Sequence, residues 1–252
     1  LLFDINKFSK FKDKIVYIVV DKQPSDIEKI NKLDSKKNIS RKEQSNAYKR
    51  HIYQLGETRL GVLDADPNDI IIVSDLDEIP NLEKADFKKI KQKLIFFKQK
   101  MFYYKLNLYY KMPWYGSKAC KKKYFKSAKW IQWIKNKKYP LWRLDILFSN
   151  KKYHDIYFIA DGGWHFTNIK SPEDIEKKLK SFVHYKDFES SGLNVNDLKR
   201  LINDKKVMYN HKIDKKKDKW KGGEELQTLK LEEMPKYIIE NYQWYKPWLD
   251  NT

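Results

Sequence analysis

Three acidic residues follow directly after a short apolar run. The run IIIV (residues 70–73) leads into SDLDEIP, whose acids are Asp75, Asp77 and Glu78. Neighbouring carboxylates repel one another, and a hard divalent cation, Mg²⁺ or Mn²⁺, relieves this repulsion while also taking substrate phosphate oxygens. In a group transfer such an ion neutralises a leaving diphosphate. We therefore assign Asp75 and Asp77 to a metal site, with Asp75 also contacting substrate. The alternative is an acidic loop that caps the next helix.

A second segment, DGGWHF (residues 161–166), combines two glycines with an aromatic residue and a histidine. The glycines permit positive φ angles or a close backbone approach. Trp164 offers a flat face for a sugar ring, and His165 offers an imidazole that could complete the metal site. A structural turn with a hydrogen-bonded histidine is the alternative. Trp114 and Trp142 are weaker candidates for sugar stacking, which we assign to the core.

The elements around the acids predict how they are positioned. Residues 70–73 are apolar on both faces, which is typical of a central parallel strand. In open α/β sheets, ligands bind at the carboxyl ends of such strands. A helix is expected over residues 41–63, followed by a turn at residues 66–69 (DPND). Helix, turn and strand form one α/β unit, so we predict an α/β fold with a mostly parallel central sheet flanked by helices.

Other segments complete the predicted organisation. Further strands are expected at residues 15–20 (buried), 94–97, 101–110, 142–148 and 156–159, and a short helix at residues 86–93. Ser171 is a predicted N-cap. The buried face of its helix is expected to comprise Ile175, Leu179, Phe182 and Val183. Without repeats or linkers, residues 1–252 form one predicted domain. It divides into residues 1–110, residues 111–209 and a tail (210–252). If the chain is a sugar transferase, the first part would bind the donor and the second the acceptor. The tail is predicted to be Lys-rich and exposed as far as residue 223, and its aromatic remainder could dock back on the domain.

The sequences IIIVSDLDEIP, DGGWHF and a helix carrying SFVH (residues 181–184), taken together, resemble glycosyltransferase family 17 over roughly residues 1–184. The resemblance implies a GT-A-like fold, a UDP-GlcNAc-type donor, a divalent metal, a glycan acceptor and inversion at the anomeric carbon. The chain starts after the first strand of the family, so that strand is expected to be absent. The identity of the acceptor does not transfer.

An inverting transfer needs one carboxylate to deprotonate the acceptor hydroxyl. Asp161 is our first candidate, with Asp145 and Glu78 as alternatives. A turn-capping role is the competing interpretation of Asp161.

Three further residues are candidates for substrate binding. Asn46 and Arg50 lie four apart on one polar stripe of the predicted helix and could hold the donor. A solvated polar face is the alternative. His184 could contact substrate from the end of the later helix, or it could be structural.

Charge and cysteine content limit the possible partners and compartment. The chain of 252 residues carries 53 basic and 34 acidic residues, a net charge of +19, which favours phosphorylated ligands, anionic membrane surfaces or nucleic acid. Nearly all basic residues are lysines, whereas sequence-specific nucleic-acid readers rely on arginine, so we do not favour nucleic acid. The single cysteine excludes an intrachain disulfide. It points to a reducing compartment, so we predict a cytoplasmic protein. No run approaches the roughly 18 apolar residues of a membrane span.

Two other functions compete with the transferase. One is a non-catalytic module that binds glycans or polyanions on the same fold. The other is a metal-dependent phosphoryl-transfer enzyme or nuclease, which would need a second acidic cluster that the sequence does not show.

Overall fold

Two mixed β-sheets flanked by helices form the fold. The computed structural model describes residues 3–181, 185–213, 219–220 and 223–250. The strands are β1 Ile70–Val73, β2 Glu78–Pro80, β3 Leu94–Phe97, β4 Gln99–Tyr103, β5 Leu108–Trp114, β6 Lys118–Lys121, β7 Ile156–Ile159, β8 Gly163–Thr167 and β9 Gln227–Thr228. The α-helices are α1 Lys36–Glu57, α2 Ala128–Trp133, α3 Pro172–Ser181, α4 Tyr185–Ser191, α5 Val195–Asn203, α6 Lys236–Glu240 and α7 Tyr242–Tyr245. Short 3₁₀ helices include Ile5–Lys14, Thr58–Val62, Leu144–Ile146 and Lys246–Trp248.

The order of the strands differs from the predicted one. The first sheet has the order β1-β6-β3-β7 and the second the order β2-β8-β4-β5-β9. Within the described ranges, the parallel pairs are β3–β7 and β4–β8, and the other five pairings are antiparallel. The α/β class is therefore confirmed, but the prediction of a mostly parallel sheet is wrong.

β1 is an edge strand and not a central one. It pairs antiparallel with β6. Its apolar side chains nevertheless pack on both sides, because Ile70 and Ile72 contact a cluster that includes Ile95 and Phe97, and Val73 contacts a second cluster. An apolar run thus shows that both faces of a strand are covered, but it does not show how many neighbouring strands there are.

Two segments of the chain run from the first sheet into the second and join them. β3 passes into β4 through Lys98 alone, and its parallel neighbour β7 passes into β8. Partners are 62 residues apart in the first pair (Leu94 with Ile156) and 64 apart in the second (Lys100 with Trp164). The segment between β7 and β8 therefore holds two extra residues, which form a bulge.

Asp161 and Gly162 of DGGWHF lie in this bulge, and Gly163 begins β8. The Lys98 amide donates to the carbonyl of Ile159 at 3.0 Å, and the Gly162 amide donates to the carbonyl of Lys98 at 2.8 Å. Asp161 and Gly163 have φ angles of 48° and 123°. The first half of the motif thus forms a turn, whereas the role of its histidine in metal binding stays a prediction.

The second sheet carries a different core on each face. One face is covered by α3, α4 and α5, whose buried side chains pack on Met101, Tyr103 and Tyr110. The other face packs Phe102, Trp164 and Phe166 against the C-terminal segment that contains Met234 and Ile238. The C-terminal aromatic segment docks back as expected and completes the core.

Several segments differ from their predictions. Residues 15–20 belong to no strand, and Val16 is 75% exposed, so the predicted buried strand is wrong. A β-branched run favours a strand without supplying a partner strand. Residues 142–148 form an exposed turn around a 3₁₀ helix, and residues 86–93 form turns and no helix. Helix α1 begins at Lys36, where the hydroxyl of Ser35 accepts a hydrogen bond from the Asn38 amide at 3.3 Å.

Other predictions are confirmed. β1, β3 and β7 match predicted strands, and the helix beginning after Ser171 buries Ile175 and Leu179. Phe182 and Val183 lie outside the described residues. No helix of the described chain has the length and apolarity to cross a bilayer.

Candidate functional site

The acidic loop connects the edge strand β1 to β2. The Glu78 amide donates to the carbonyl of Asp75 at 3.0 Å, which closes the loop as a tight turn. The Ser74 hydroxyl binds the carbonyl of Glu78 at 3.1 Å and lies 2.5 Å from the Ser117 hydroxyl. These bonds fix the loop backbone and leave the Asp75 side chain free to accept a hydrogen bond from Gln132 of α2, at 3.2 Å.

His165 lies beside the acidic loop. Its Nε2 is 3.6 Å from Oδ2 of Asp77, and the neighbouring Phe166 amide donates to the carbonyl of Asp77 at 2.8 Å. The predicted proximity of His165 to Asp77 is met, whereas its role as a metal ligand stays a prediction. The Nδ1 atom of His165 is buried and has no hydrogen-bond partner within the described residues. This atom is not the one that contacts Asp77, which is Nε2.

A lysine from α3 adds a positive charge near the acids. Burial raises the pKa of Asp77, but the contact with His165 and the nearby charge of Lys178 outweigh this effect, so the pKa lies below its usual value. The pKa of Lys178 is lowered by burial, and the Asp77 charge partly opposes that shift. Its ammonium donates to Oδ1 of Asn168 at 3.1 Å. Sequence reasoning missed Lys178, because nothing distinguishes it from the many other lysines.

Trp114 and Glu78 form the floor of the site. The indole of Trp114 stacks on the His165 ring, with centroids 4.5 Å apart and planes inclined by 16°. Its Nε1 donates to Oε1 of Glu78 at 2.6 Å, and the Asp75 amide donates to Oε2 at 3.0 Å. Burial raises the pKa of Glu78, an effect that these two hydrogen bonds partly oppose. A Cβ at Gly116 would lie 1.5 Å from Oε1 of Glu78, so any other residue here would force this carboxylate to move.

His211 reaches the same region from the segment expected to be exposed. Its Nε2 is 2.7 Å from the hydroxyl of Tyr103, and its ring centroid lies 6.0 Å from that of Trp114. Burial lowers the pKa of His211 to about 4, with smaller contributions from the charges of His165 and Lys219. Asn210 beside it is buried and accepts a hydrogen bond from Tyr110 at 3.1 Å. Because lysines surround Asn210 and His211 in the sequence, their burial was not predicted.

The first two candidates for the base lie away from the acidic loop. Gly163 pairs with Pro80, whereas Asp77 lies beside Phe166, so Asp161 is at the opposite end of β8. Its exposed side chain belongs to the bulge. Asp145 binds Arg143 through two hydrogen bonds, at 2.8 and 2.7 Å, and Lys152 through one at 2.6 Å. These partners lower the pKa of Asp145, which makes it a poor proton acceptor. Neither residue is supported as the base.

Three substrate-binding candidates form hydrogen bonds with other parts of the chain. Trp164 points to the face of β8 opposite His165 and donates from Nε1 to the carbonyl of Glu233 at 2.7 Å. The side chain of Asn46 binds the backbone amide and carbonyl of Glu28, each at 2.8 Å. Arg50 donates to Oε1 of Gln23 at 2.7 Å. The structure does not bring these side chains to the acids.

Neither His184 nor Trp142 is placed at the site. His184 lies outside the described residues. Trp142, which we assigned to the core, is instead 79% exposed.

The acidic site offers two carboxylates and one imidazole. Within the described ranges, no three His, Cys, Asp or Glu side chains are already arranged to hold a metal ion. Mg²⁺ and Mn²⁺ commonly take one or two carboxylates together with substrate phosphates and water, so Asp75 and Asp77 suit such an ion. An imidazole favours Mn²⁺ over Mg²⁺. The imidazole nitrogen that faces Asp77 is Nε2, so this is the atom through which His165 could bind such an ion.

Comparisons with known proteins do not identify a family for this chain. No family model, curated protein or solved structure matches the chain. The relation to glycosyltransferase family 17 is therefore a hypothesis that rests on sequence motifs.

Proposed function

We propose that the protein is a metal-dependent, inverting glycosyltransferase with a GT-A-like arrangement, which transfers GlcNAc from UDP-GlcNAc to a glycan acceptor. The observation that carries the proposal is the contact between Asp77 and His165, whose Oδ2 and Nε2 atoms lie 3.6 Å apart beside the acidic turn. The two motifs behind the family resemblance are separated by more than 80 residues in the sequence. Their contact is what a shared donor site requires.

The residues around the loop have distinct roles in this proposal. Asp75, Asp77 and His165 would hold a divalent ion, which supplies charge neutralisation to the leaving diphosphate when bound. Lys178 supplies a second positive charge for that diphosphate. Its ammonium is partly buried, so solvent screens it less than it screens a surface lysine. Gln132 orients Asp75 from α2.

Glu78 is the one carboxylate among the three base candidates that lies at the acidic site. Its raised pKa suits a proton acceptor. Its side chain is only 5% exposed, however, and both oxygens already accept hydrogen bonds. We assign Glu78 to positioning the loop and Trp114, and retain proton abstraction as the alternative role.

Donor binding is tested with Asp77→Asn. Thermal unfolding is followed with UDP-GlcNAc in the presence and absence of Mn²⁺. A ligand at 100 times its Kd stabilises by about 2.7 kcal/mol, so the shift in the parent is measurable. Asp77→Asn should lose the Mn²⁺-dependent shift, whereas Asp86→Asn, an exposed surface change, should keep it. Equal shifts in Asp77→Asn and the parent would refute the metal assignment. Stronger stabilisation by a GDP-sugar or CMP-sugar would refute the donor.

Transfer is tested by release of UDP in the presence of glycan acceptors. Donor binding without any UDP release would favour the non-catalytic glycan-binding module. Glu78→Gln separates its two roles. If Glu78 positions the loop, the variant loses thermal stability and donor binding together. If Glu78 is the base, donor binding persists and turnover falls by about 10²–10⁴-fold.

A further inference from the structure

An apolar turn projects from the chain between α2 and β7. Five large apolar side chains within eight consecutive residues are between 73% and 91% exposed, namely Leu141, Trp142, Leu144, Leu147 and Phe148. Single exposed apolar residues are ordinary, but a concentration of this kind is typical of an interaction surface. We call residues 139–149 the apolar turn.

Hydrogen bonds fix the shape of the apolar turn. At its base, the Lys135 amide donates to the carbonyl of Lys151 at 2.8 Å, and the Tyr139 amide donates to the carbonyl of Tyr153 at 3.0 Å. Inside it, the Leu147 amide donates to the carbonyl of Leu144 at 3.1 Å. The apolar side chains are thus presented on an ordered segment and are not the side chains of an unstructured loop.

Positive charge surrounds the apolar side chains. Residues 135–152 contain six basic residues and one acid, a net charge of +5. The acid, Asp145, is neutralised by Arg143 and Lys152 at 2.7 and 2.6 Å. The remaining basic side chains are exposed and lie at the base of the turn or just before it: Lys135, Lys137, Lys138 and Lys151. The result is an apolar tip with a cationic base.

We propose that the apolar turn docks the protein on an anionic lipid bilayer. Trp142, Phe148 and the leucines enter the interfacial region, and the lysines contact lipid phosphates. Aromatic and long basic side chains are the residues that membrane interfaces select. Protein interfaces, by contrast, are depleted of lysine. The lysine-rich base therefore favours a lipid surface over a protein partner.

The test is flotation with phosphatidylcholine vesicles that contain or lack phosphatidylserine. The parent protein should float with the anionic vesicles, and added salt should weaken this binding. Trp142→Ser/Phe148→Ser should reduce partitioning at least about tenfold, since two interfacial side chains are lost. The matched control is Leu33→Ser/Trp244→Ser, which alters side chains that are 99% and 85% exposed elsewhere and should float like the parent.

A second pair of variants tests the charge. Lys137→Glu/Lys138→Glu should abolish the preference for anionic vesicles, and Lys7→Glu/Lys10→Glu, exposed lysines in another region, should largely retain it. The proposal is overturned if the parent does not prefer anionic vesicles, or if Trp142→Ser/Phe148→Ser floats like the parent. Loss of an oligomer in that variant, with flotation unchanged, would show a protein interface instead. None of these readouts involves UDP or Mn²⁺, so they stand or fall independently of the transferase proposal.

Discussion

At the residue scale, the site is built by partners that lie far apart in the sequence. Trp114 connects the Glu78 carboxylate, the His165 ring and the His211 ring. Its indole separates these groups and excludes water from them. Removing solvent in this way raises the pKa of Glu78 and lowers that of His211, since burial disfavours the charged form of each group.

His211 gives a pH prediction whose sign follows from linkage. The unfolded chain protonates this histidine near pH 6.5, whereas the folded protein does so at about 4. Between these values the unfolded state binds more protons, so the contribution of His211 to stability is lost as the pH falls. The Tm of the parent should therefore decrease more steeply between about pH 6.5 and 4 than that of His211→Gln. His51→Gln, which alters an exposed histidine, should follow the parent curve. Parallel curves for all three proteins would contradict the assignment.

The sequence was most informative about residues next to a recognisable pattern. Asp75 and Asp77 follow a clear apolar run, and the glycine pair marks His165. No recognisable sequence pattern adjoins Lys178, Gln132 or His211. They reach the site through packing between distant helices, strands and the C-terminal segment. Trp164 was favoured over Trp114 because it adjoins His165 in the chain, yet alternation along a strand puts neighbours on opposite faces.

At the scale of elements, the strands were predicted better than their arrangement. Residues 70–73 form β1 as expected, but the strand lies at an edge and pairs antiparallel with β6. Apolar periodicity reports which faces are covered and does not report the order of strands. The failed strand at residues 142–148 has a related cause: an apolar run was taken as buried, whereas its side chains are exposed.

Gly163 gives a prediction about the contact between β8 and β2. A Cβ at this position would lie 2.0 Å from the carbonyl oxygen of Ile79, and the φ angle is 123°. Gly163→Ala should reduce the free energy of unfolding by about 3 kcal/mol or more, because backbone atoms cannot move aside as a side chain would. Gly192→Ala is the matched control: its φ is also positive, at 72°, but the added Cβ meets open space. It should cost about 1 kcal/mol in urea unfolding. Similar losses for both variants would show that φ, and not the close approach, sets the requirement.

At the scale of the whole molecule, the C-terminal segment is part of the core. The predicted exposed stretch 210–223 falls partly outside the described residues, and Asn210 within it is buried, whereas the aromatic residues that follow did indicate docking. Met234, Ile238 and Leu249 are buried against Phe102 and its neighbours. The Asn107 side chain also binds the carbonyl of Asp250, at 2.8 Å.

Two adjacent isoleucines test this packing. Ile238 is 5% exposed and Ile239 is 37% exposed. Ile238→Ala should lower the free energy of unfolding by about 2–4 kcal/mol, since it leaves a cavity in the core. Ile239→Ala should cost less than about 1 kcal/mol. Urea denaturation measures both, and equal effects would contradict the docked arrangement.

The bulge between β7 and β8 has a consequence for insertions and deletions. Side chains alternate along β8, so the number of residues in the bulge decides which ones face the acidic loop. Removing Asp161 alone would change the phase of the strand by one position. His165 would then face the apolar C-terminal side, and Trp164 or Phe166 would face Asp77. A single-codon deletion here would erase the site without altering any of its side chains.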